Sequence, residues 1–200
     1  MSFNANSVGK NPKRQKVLGF LKKKNPDFLI LLDTRICPSI ENTIREEWGS
    51  KCFFSSLNSQ SRGVAVFLKK GLNTDILDIK TSPDGNLLAL LFEYEGRKIL
   101  LRGVYGPNED NPQFYQENVF HFIDMWEPEL SLFVGDYNVT INPVLDNRNY
   151  MHENNILARE ALKNKINEFE LVDIWRELNP QETLFSWHKF RRNKQARLDY

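Results

Sequence analysis

Apolar residues along the chain follow two rhythms. Nearly unbroken runs at Phe28–Leu32, Leu87–Tyr94 and Leu130–Val134 have the length of buried strands and are bounded by turn residues. Helical spacing appears over Pro12–Lys24, with Val17, Leu18, Phe20 and Leu21 as the apolar stripe, and over Ile156–Phe169. Ser39 is placed to cap a helix reaching Trp48, and Pro112 to open one over Asn111–Trp126. Further strands are predicted at Lys51–Ser55, Gly63–Leu68, Ile76–Ile79 and Lys98–Val104, with short ones around Phe3, at Leu184–Trp187 and at Arg197–Tyr200. The segments Ser82–Asn86 and Glu95-Gly96 read as hairpin turns. Hairpins mixed with strand–helix units predict an α/β or α+β fold with layered sheets. Neither a repeat nor a Gly/Ser-rich linker interrupts the pattern, so residues 1–200 read as a single domain.

Composition narrows the class. An apolar share of 40%, with 14 Phe and 4 Trp, supplies a core and argues against disorder. Cys37 and Cys52 form neither a disulfide framework nor a metal spacing, which suits a reduced, intracellular chain. The apolar runs are too short to cross a bilayer, so no membrane partner is expected. The net charge is only +1, but its distribution is uneven. Seven Lys or Arg and no acid lie in residues 1–24, and Lys189, Arg191, Arg192, Lys194 and Arg197 form a second basic stretch. Both read either as solvated faces or as lips for a phosphate backbone.

Several predicted strands end on a polar residue. Asn4 follows Phe3, Asp33 follows Phe28–Leu32, and Tyr105 and Asn108 follow Lys98–Val104. Asp136 and Asn138 follow Leu130–Val134, Ser186 sits in Leu184–Trp187, and Asp199 stands near the end. Asp136 and Asn138, two residues apart at a strand end, are expected to point the same way. In layered α/β folds ligands bind beyond strand ends. If these ends converge, they offer carboxylate and amide oxygens for a hard cation such as Mg²⁺, donors for phosphate, and an acid to position water. Singly, each has a plainer reading: Asp33 ends a strand, Asn108 makes a turn after Gly106-Pro107, and Asp199 is an edge charge.

The stretches FNANSVGKNPKRQKVLGFLKKKNPDFLILLDTR, SRGVAVF, GVYGPNE, VGDYNVTINPVLDNR, LVDIWRELNP, LFSWH and ARLDY, in this order, resemble the endonuclease/exonuclease/phosphatase family. Within it the chain is most similar to the apurinic-type endonuclease domain of LINE-like (non-LTR) retrotransposons, the PVLDNR and VDIWRELNP neighbourhoods favouring that branch. The resemblance implies a four-layered α/β sandwich, two packed mixed sheets flanked by helices, that cleaves phosphodiesters with Mg²⁺ or, alternatively, Mn²⁺. It implies Asp33 as metal ligand, Asp136 for the attacking water, and Asn138, Tyr105 and Asn4 on the phosphate. It also implies Asp199 as the partner of a histidine, and Asn108, Ser186, Arg62 and Arg148 as substrate contacts. The implied partners are DNA and a downstream reverse transcriptase domain, and the implied location is the nucleus.

Two departures follow from the same comparison. The family's metal carboxylate is a Glu, and here Leu32-Asp33-Thr34 carries an acid shorter by about 1.5 Å of reach. Metal–ligand distances tolerate roughly 0.2 Å, so the backbone must shift, a water must bridge, or binding weakens. The family also closes its site with a Ser-Asp-His run beyond the ARLDY-type motif. The chain stops at Tyr200, and His121, His152 and His188 are elsewhere, so the domain reads as incomplete at its C-terminus, with last strands missing, and at its first strand. Beside a DNA-nicking hydrolase stand a catalytically silent mobile-element remnant, a non-catalytic nucleic-acid-binding module and a family phosphatase.

Overall fold

The computed structural model describes residues 1–121, 123–189 and 193–200. They form two compact units, Met1–Tyr105 with Ile123–Gly135, and Gly106–Phe122 with Asp136–Tyr200.

The first unit is built on two four-stranded sheets. In one, β1 (Ser2–Asn4) runs parallel to β2 (Phe28–Leu32), and β4 (Val64–Leu68) lies antiparallel between β2 and β3 (Cys52–Ser55). Every residue of β4 and all but Phe28 of β2 are buried, because both faces of this sheet are covered. Strand alternation sends Leu29, Leu31, Ala65 and Phe67 to one face, where Leu18 and Leu21 of α1 (Asn11–Lys23) and Ile44 and Trp48 of α2 (Glu41–Trp48) cover them. Ile30, Leu32, Val64 and Val66 point the other way. They meet Leu88, Leu90 and Phe92 of β6 (Leu87–Tyr94) and Ile99 and Leu101 of β7 (Arg97–Tyr105). The second sheet, with β5 (Asp75–Thr81) and β8 (Leu130–Asp136) at its edges, is flanked by α3 (Ile123–Trp126), whose Trp126 indole donates to Asp78 on β5. Helix, sheet, sheet and helix give the layered α/β sandwich that the family resemblance implies. At Gly135 an added Cβ would collide with the Val104 carbonyl oxygen, so β7 and β8 approach as closely as they do only because residue 135 has no side chain.

The second unit carries α4 (Pro143–Asp146), β9 (Asn147–Arg148), α5 (Ile156–Glu168), α6 (Ile174–Leu178), β10 (Trp187–Lys189) and β11 (Lys194–Ala196). The three strands form one sheet in the order β10-β11-β9. Helix α5 packs on the segment Phe114–Asn118, and Phe120 stacks on Phe169 with ring centres 5.5 Å apart.

Four predicted details differ. The helix over Asn111–Trp126 is replaced by a π-helical turn at Phe114–Asn118 and the separate α3. The buried pairs Phe114/Tyr115 and Val119/Phe120 are five apart, which is the π spacing. Ser39 is not a helix cap: Pro38–Ile40 form a 3₁₀ turn, α2 starts at Glu41 without a side-chain cap, and the Ser39 hydroxyl faces Cys37 Sγ. Phe20 lies off the buried stripe of α1, which runs Arg14–Leu18–Leu21 because Arg14 pairs with Glu47. The last strands are shifted from the predicted ranges: β10 overlaps Leu184–Trp187 only at Trp187 and runs on to Lys189, and β11 ends at Ala196, before the predicted Arg197–Tyr200, with Ser186 and Leu198 flanking the hairpin.

Candidate active-site residues

In the first unit, the chain just after β1 and β2 and just before β4 forms a tightly bonded rim. Ser7 N donates to Asp33 O, Val8 N to Thr34 O, Thr34 N to Gly63 O and Arg35 N to Arg62 O. Asn6, Ser7, Asp33, Arg35 and Arg62 all have left-handed backbone, with φ between +41° and +78°. Each such non-glycine residue costs roughly 1–3 kcal/mol, and strain of this kind concentrates at functional sites.

The rim sets the predicted metal ligand. Asp33 is buried, and both carboxylate oxygens accept from Arg35: Nε to Oδ1 at 3.1 Å and Nη2 to Oδ2 at 2.8 Å. Asp33 lifts the Arg35 guanidinium further above its ordinary pKa, and the Tyr105 phenol adds to this. Arg35 Nη2 also reaches Asn6 Oδ1 at 3.2 Å. Asn4 Oδ1 accepts from Asn6 N. Tyr105 packs at the edge of the inter-sheet core, and its amide donates to Asn86 O. Arg62 reaches Asp84 at 3.4 Å.

Asp136 is the last residue of β8 and is buried. The strand does not continue to Asn138, whose φ is +51°. The two side chains therefore do not share a strand face, contrary to the i, i+2 expectation. They are joined instead by a turn in which Asp136 Oδ1 accepts from Asn138 N at 3.0 Å. Asn138 Nδ2 donates to Gly106 O at 2.8 Å, which leaves its second amide hydrogen and its oxygen for a ligand. At Gly106 a Cβ would strike Tyr137 O and the Tyr115 hydroxyl, so this crossing too depends on a missing side chain. Asp199 forms an antiparallel bridge with Asp136, flanked by the bond from Tyr137 N to Leu198 O. Burial raises the Asp199 pKa above its ordinary value, against the Ser186 hydroxyl and Arg197, which lower it. Ser186 Oγ accepts from the amides of Leu198 and Asp199, so that hydroxyl fixes the last segment.

Beside Asn138 opens a cavity of about 160 Å³ lined by Asn108, Asn147, Asn154 and Asn155, with Tyr150 and Trp187. Asn155 Nδ2 donates to the carbonyls of Asn138 and Asn108. Asn147 Oδ1 is buried without a partner, an acceptor aimed at a donor the protein does not supply. Asn108 was the one member of this lining, apart from Asn138, singled out from sequence. The others sit in a loop whose asparagines carry no period, and only their density in NRNYMHENN marked the place.

The second basic stretch is not a continuous lip. Arg197 is buried, pairs with Asp173 through two bonds of 2.6 Å and lies over Trp175 and Tyr200. Lys194 covers Tyr150. Arg191 and Arg192 lie outside the described residues. Arg148 covers Phe185 and reaches Gln195 at 3.4 Å. His188 is exposed, with Nδ1 taken by Gln195 and Nε2 3.2 Å from Phe185 O. In the first unit, Lys13 bonds to the Ala5 and Asn6 carbonyls and Lys22 to the Glu47 carbonyl.

The sequence matches no family model. A transposon TX1 protein of 149 kDa from Xenopus laevis is 28% identical over 203 residues; the match covers 99% of this chain, which spans about 15% of that relative's length. Among solved structures, an AP endonuclease from Leishmania major superposes with a TM-score of 0.78 at 19% identity, covering 100% of this chain and 76% of that one. A 3′-5′ exonuclease from Neisseria meningitidis gives 0.74 at 20% identity, over 99% and 83%. An AP endonuclease from Archaeoglobus fulgidus gives 0.71 at 20%, over 97% and 83%. The chain thus has the fold of the AP endonucleases and their exonuclease relatives, and along almost its whole length it is similar in sequence to a transposon protein.

Proposed function

We propose that this chain hydrolyses phosphodiester bonds in DNA as the nicking domain of a mobile-element protein. The observation that carries the reading is Asp136: a buried carboxylate at a strand end, held in place by the Asn138 amide, of the residue type that positions an attacking water. Asn138 and Asn108 offer amide hydrogens to phosphoryl oxygens at the same cavity, whose amides and aromatic rings suit a nucleotide unit. Tyr105 and Asn4 serve as further phosphate donors, and Asp199 as an acid that orients a base. Ser186 acts on substrate through the segment it fixes, and Arg62 and Arg148 contact the backbone.

The donor chemistry of the first unit fits a hard divalent cation. Mg²⁺ takes one or two carboxylates and keeps most of its water, and Asp33 has two lone pairs that Arg35 does not use. Asp33 would hold Mg²⁺, or Mn²⁺ in its place, and the ion would supply Lewis-acid charge at the scissile phosphate. Among the described residues no group of three acids, His or Cys gathers into a metal cage.

On this reading the nick would leave a 3′-hydroxyl for a reverse transcriptase elsewhere in the parent protein, acting in the nucleus. No helix among the described residues is long and apolar enough to cross a membrane. The test is nicking of supercoiled plasmid by residues 1–200 with Mg²⁺. Asp136→Ala should lower the rate at least about 10²-fold, the contribution of a positioned base; unchanged nicking refutes the reading. A second reading, a nucleic-acid-binding module without chemistry, is favoured by the closure of Arg35 on Asp33. It predicts DNA binding that falls steeply with salt and does not respond to Mg²⁺.

A further inference from the structure

Arg35 lies two residues from Asp33 and places its fork on that carboxylate. Both residues take left-handed backbone, at φ +46° and +50°. That conformation is locked from outside. Arg35 N is held by Arg62 O and Thr34 N by Gly63 O, and a Cβ at Gly9 would fall 2.6 Å from Arg35 O. The carboxylate is almost sealed, its side chain 7% exposed, whereas the Arg35 side chain is 34% exposed. A buried carboxylate needs a cation, and here the chain provides its own. Arg35 commits Nε and Nη2 to Asp33, while Nη1 makes no hydrogen bond to a described residue.

We propose that the Arg35 guanidinium is a resident counter-ion that competes with a divalent cation for the Asp33 carboxylate and so raises the cation concentration the chain requires. The proposal rests on the reading of Asp33 as the cation ligand. A cation reaching Asp33 approaches oxygens already facing a positive charge within 3.1 Å, so it must displace the guanidinium or bind beside it against repulsion. The partial exposure of Arg35 gives the displaced fork a route to water. The short Asp side chain belongs to the same design, because the turn brings the guanidinium to Asp33 without requiring the carboxylate to reach outward.

The test is titration of residues 1–200 with Mn²⁺ in the absence of DNA, followed by electron paramagnetic resonance of the free ion. Arg35→Gln should tighten Mn²⁺ binding at least tenfold. Arg35→Lys, which keeps the charge and loses the fork, should fall between that variant and the parent chain. Adding Asp33→Asn to Arg35→Gln should abolish the gain. Equal or weaker binding by Arg35→Gln overturns the proposal, as does a gain that survives Asp33→Asn. Should Arg35→Gln fail to fold, by circular dichroism, the Lys variant decides alone: tighter binding than the parent supports competition, and no change refutes it. The readout is independent of catalysis, so nicking unaffected by Asp136→Ala would overturn the proposed function and leave this titration standing.

Discussion

Two of the carboxylate–guanidinium pairs among the described residues are built in opposite ways. Asp33 and Arg35 are neighbours in sequence, forced together by strained backbone at a rim, and the Arg35 side chain remains a third exposed. Asp173 and Arg197 are 24 residues apart and meet in the interior of the second unit. Around them Asp146 accepts from Arg176 at 2.6 Å and lies 3.7 Å from Arg197, and Trp175 is flanked by both guanidinium groups. Two acids and two arginines cancel, and every charge has a fixed partner. The first pair is local and strained, with its arginine partly open to solvent. The second ties α4, α6 and the last segment into one piece. Similar chemistry thus serves a candidate site in one unit and structural closure in the other, and geometry is what separates the roles.

The sharpest way to break this contrast is Asp146→Ala. It leaves Arg176 and Arg197 without their shared acid in a dry setting and should cost about 3–5 kcal/mol in urea unfolding. Asp173→Asn should cost less, roughly 1.5–3 kcal/mol, because Arg197 keeps Asp146. Burial pushes the Asp173 pKa up, but the bonds from Arg197 and Arg176 outweigh it and hold the group below its ordinary range. Its stabilisation is therefore present above the unfolded value near pH 4 and lost as pH falls through the lowered folded value. Acid titration of stability should show that loss in the parent chain and not in Asp173→Asn. Arg35→Gln leaves the nearly sealed Asp33 carboxylate without its cation, but at a site a third open on the arginine side, and should cost roughly 1–2 kcal/mol; a loss as large as that of Asp146→Ala would erase the contrast. Asp199 works with the opposite sign. Its folded pKa is raised, so its contribution weakens as pH rises from about 4 through that value, and Asp199→Asn should give a small gain at pH 7 that disappears in acid.

The sheets of the first unit were legible because buried strands leave a signal in composition: Leu87–Tyr94 was predicted to the residue, and β2 likewise. The Glu95-Gly96 hairpin was legible for the same local reason, since both residues take the positive φ the turn needs. The site was legible as residue types and not as geometry. Nothing about Asn138 announces its left-handed backbone, so the shared strand face expected for Asp136 and Asn138 became a turn. Arg35 carried no signal at all, because its meaning depends on backbone hydrogen bonds that Arg35 and Thr34 donate to the Arg62 and Gly63 carbonyls. PVLDNR, VDIWRELNP and ARLDY stood out as motifs, and the structure assigns their charged residues Asp146, Asp173, Arg176 and Arg197 to the buried network. Arg197, counted among the basic residues of a DNA lip, belongs there as well.

Gly135 and Gly106 carry a consequence of another kind. At each, a Cβ would collide with backbone, at the Val104 and Tyr137 carbonyls. A single-base change in a glycine codon either is silent, stops translation or yields a residue that has a Cβ. Neither position therefore has a missense neighbour in the genetic code that keeps the crossing as it is. Among diverging copies of such a gene, these two codons would work as markers of intactness, separating copies still able to fold from decayed ones before any activity is measured.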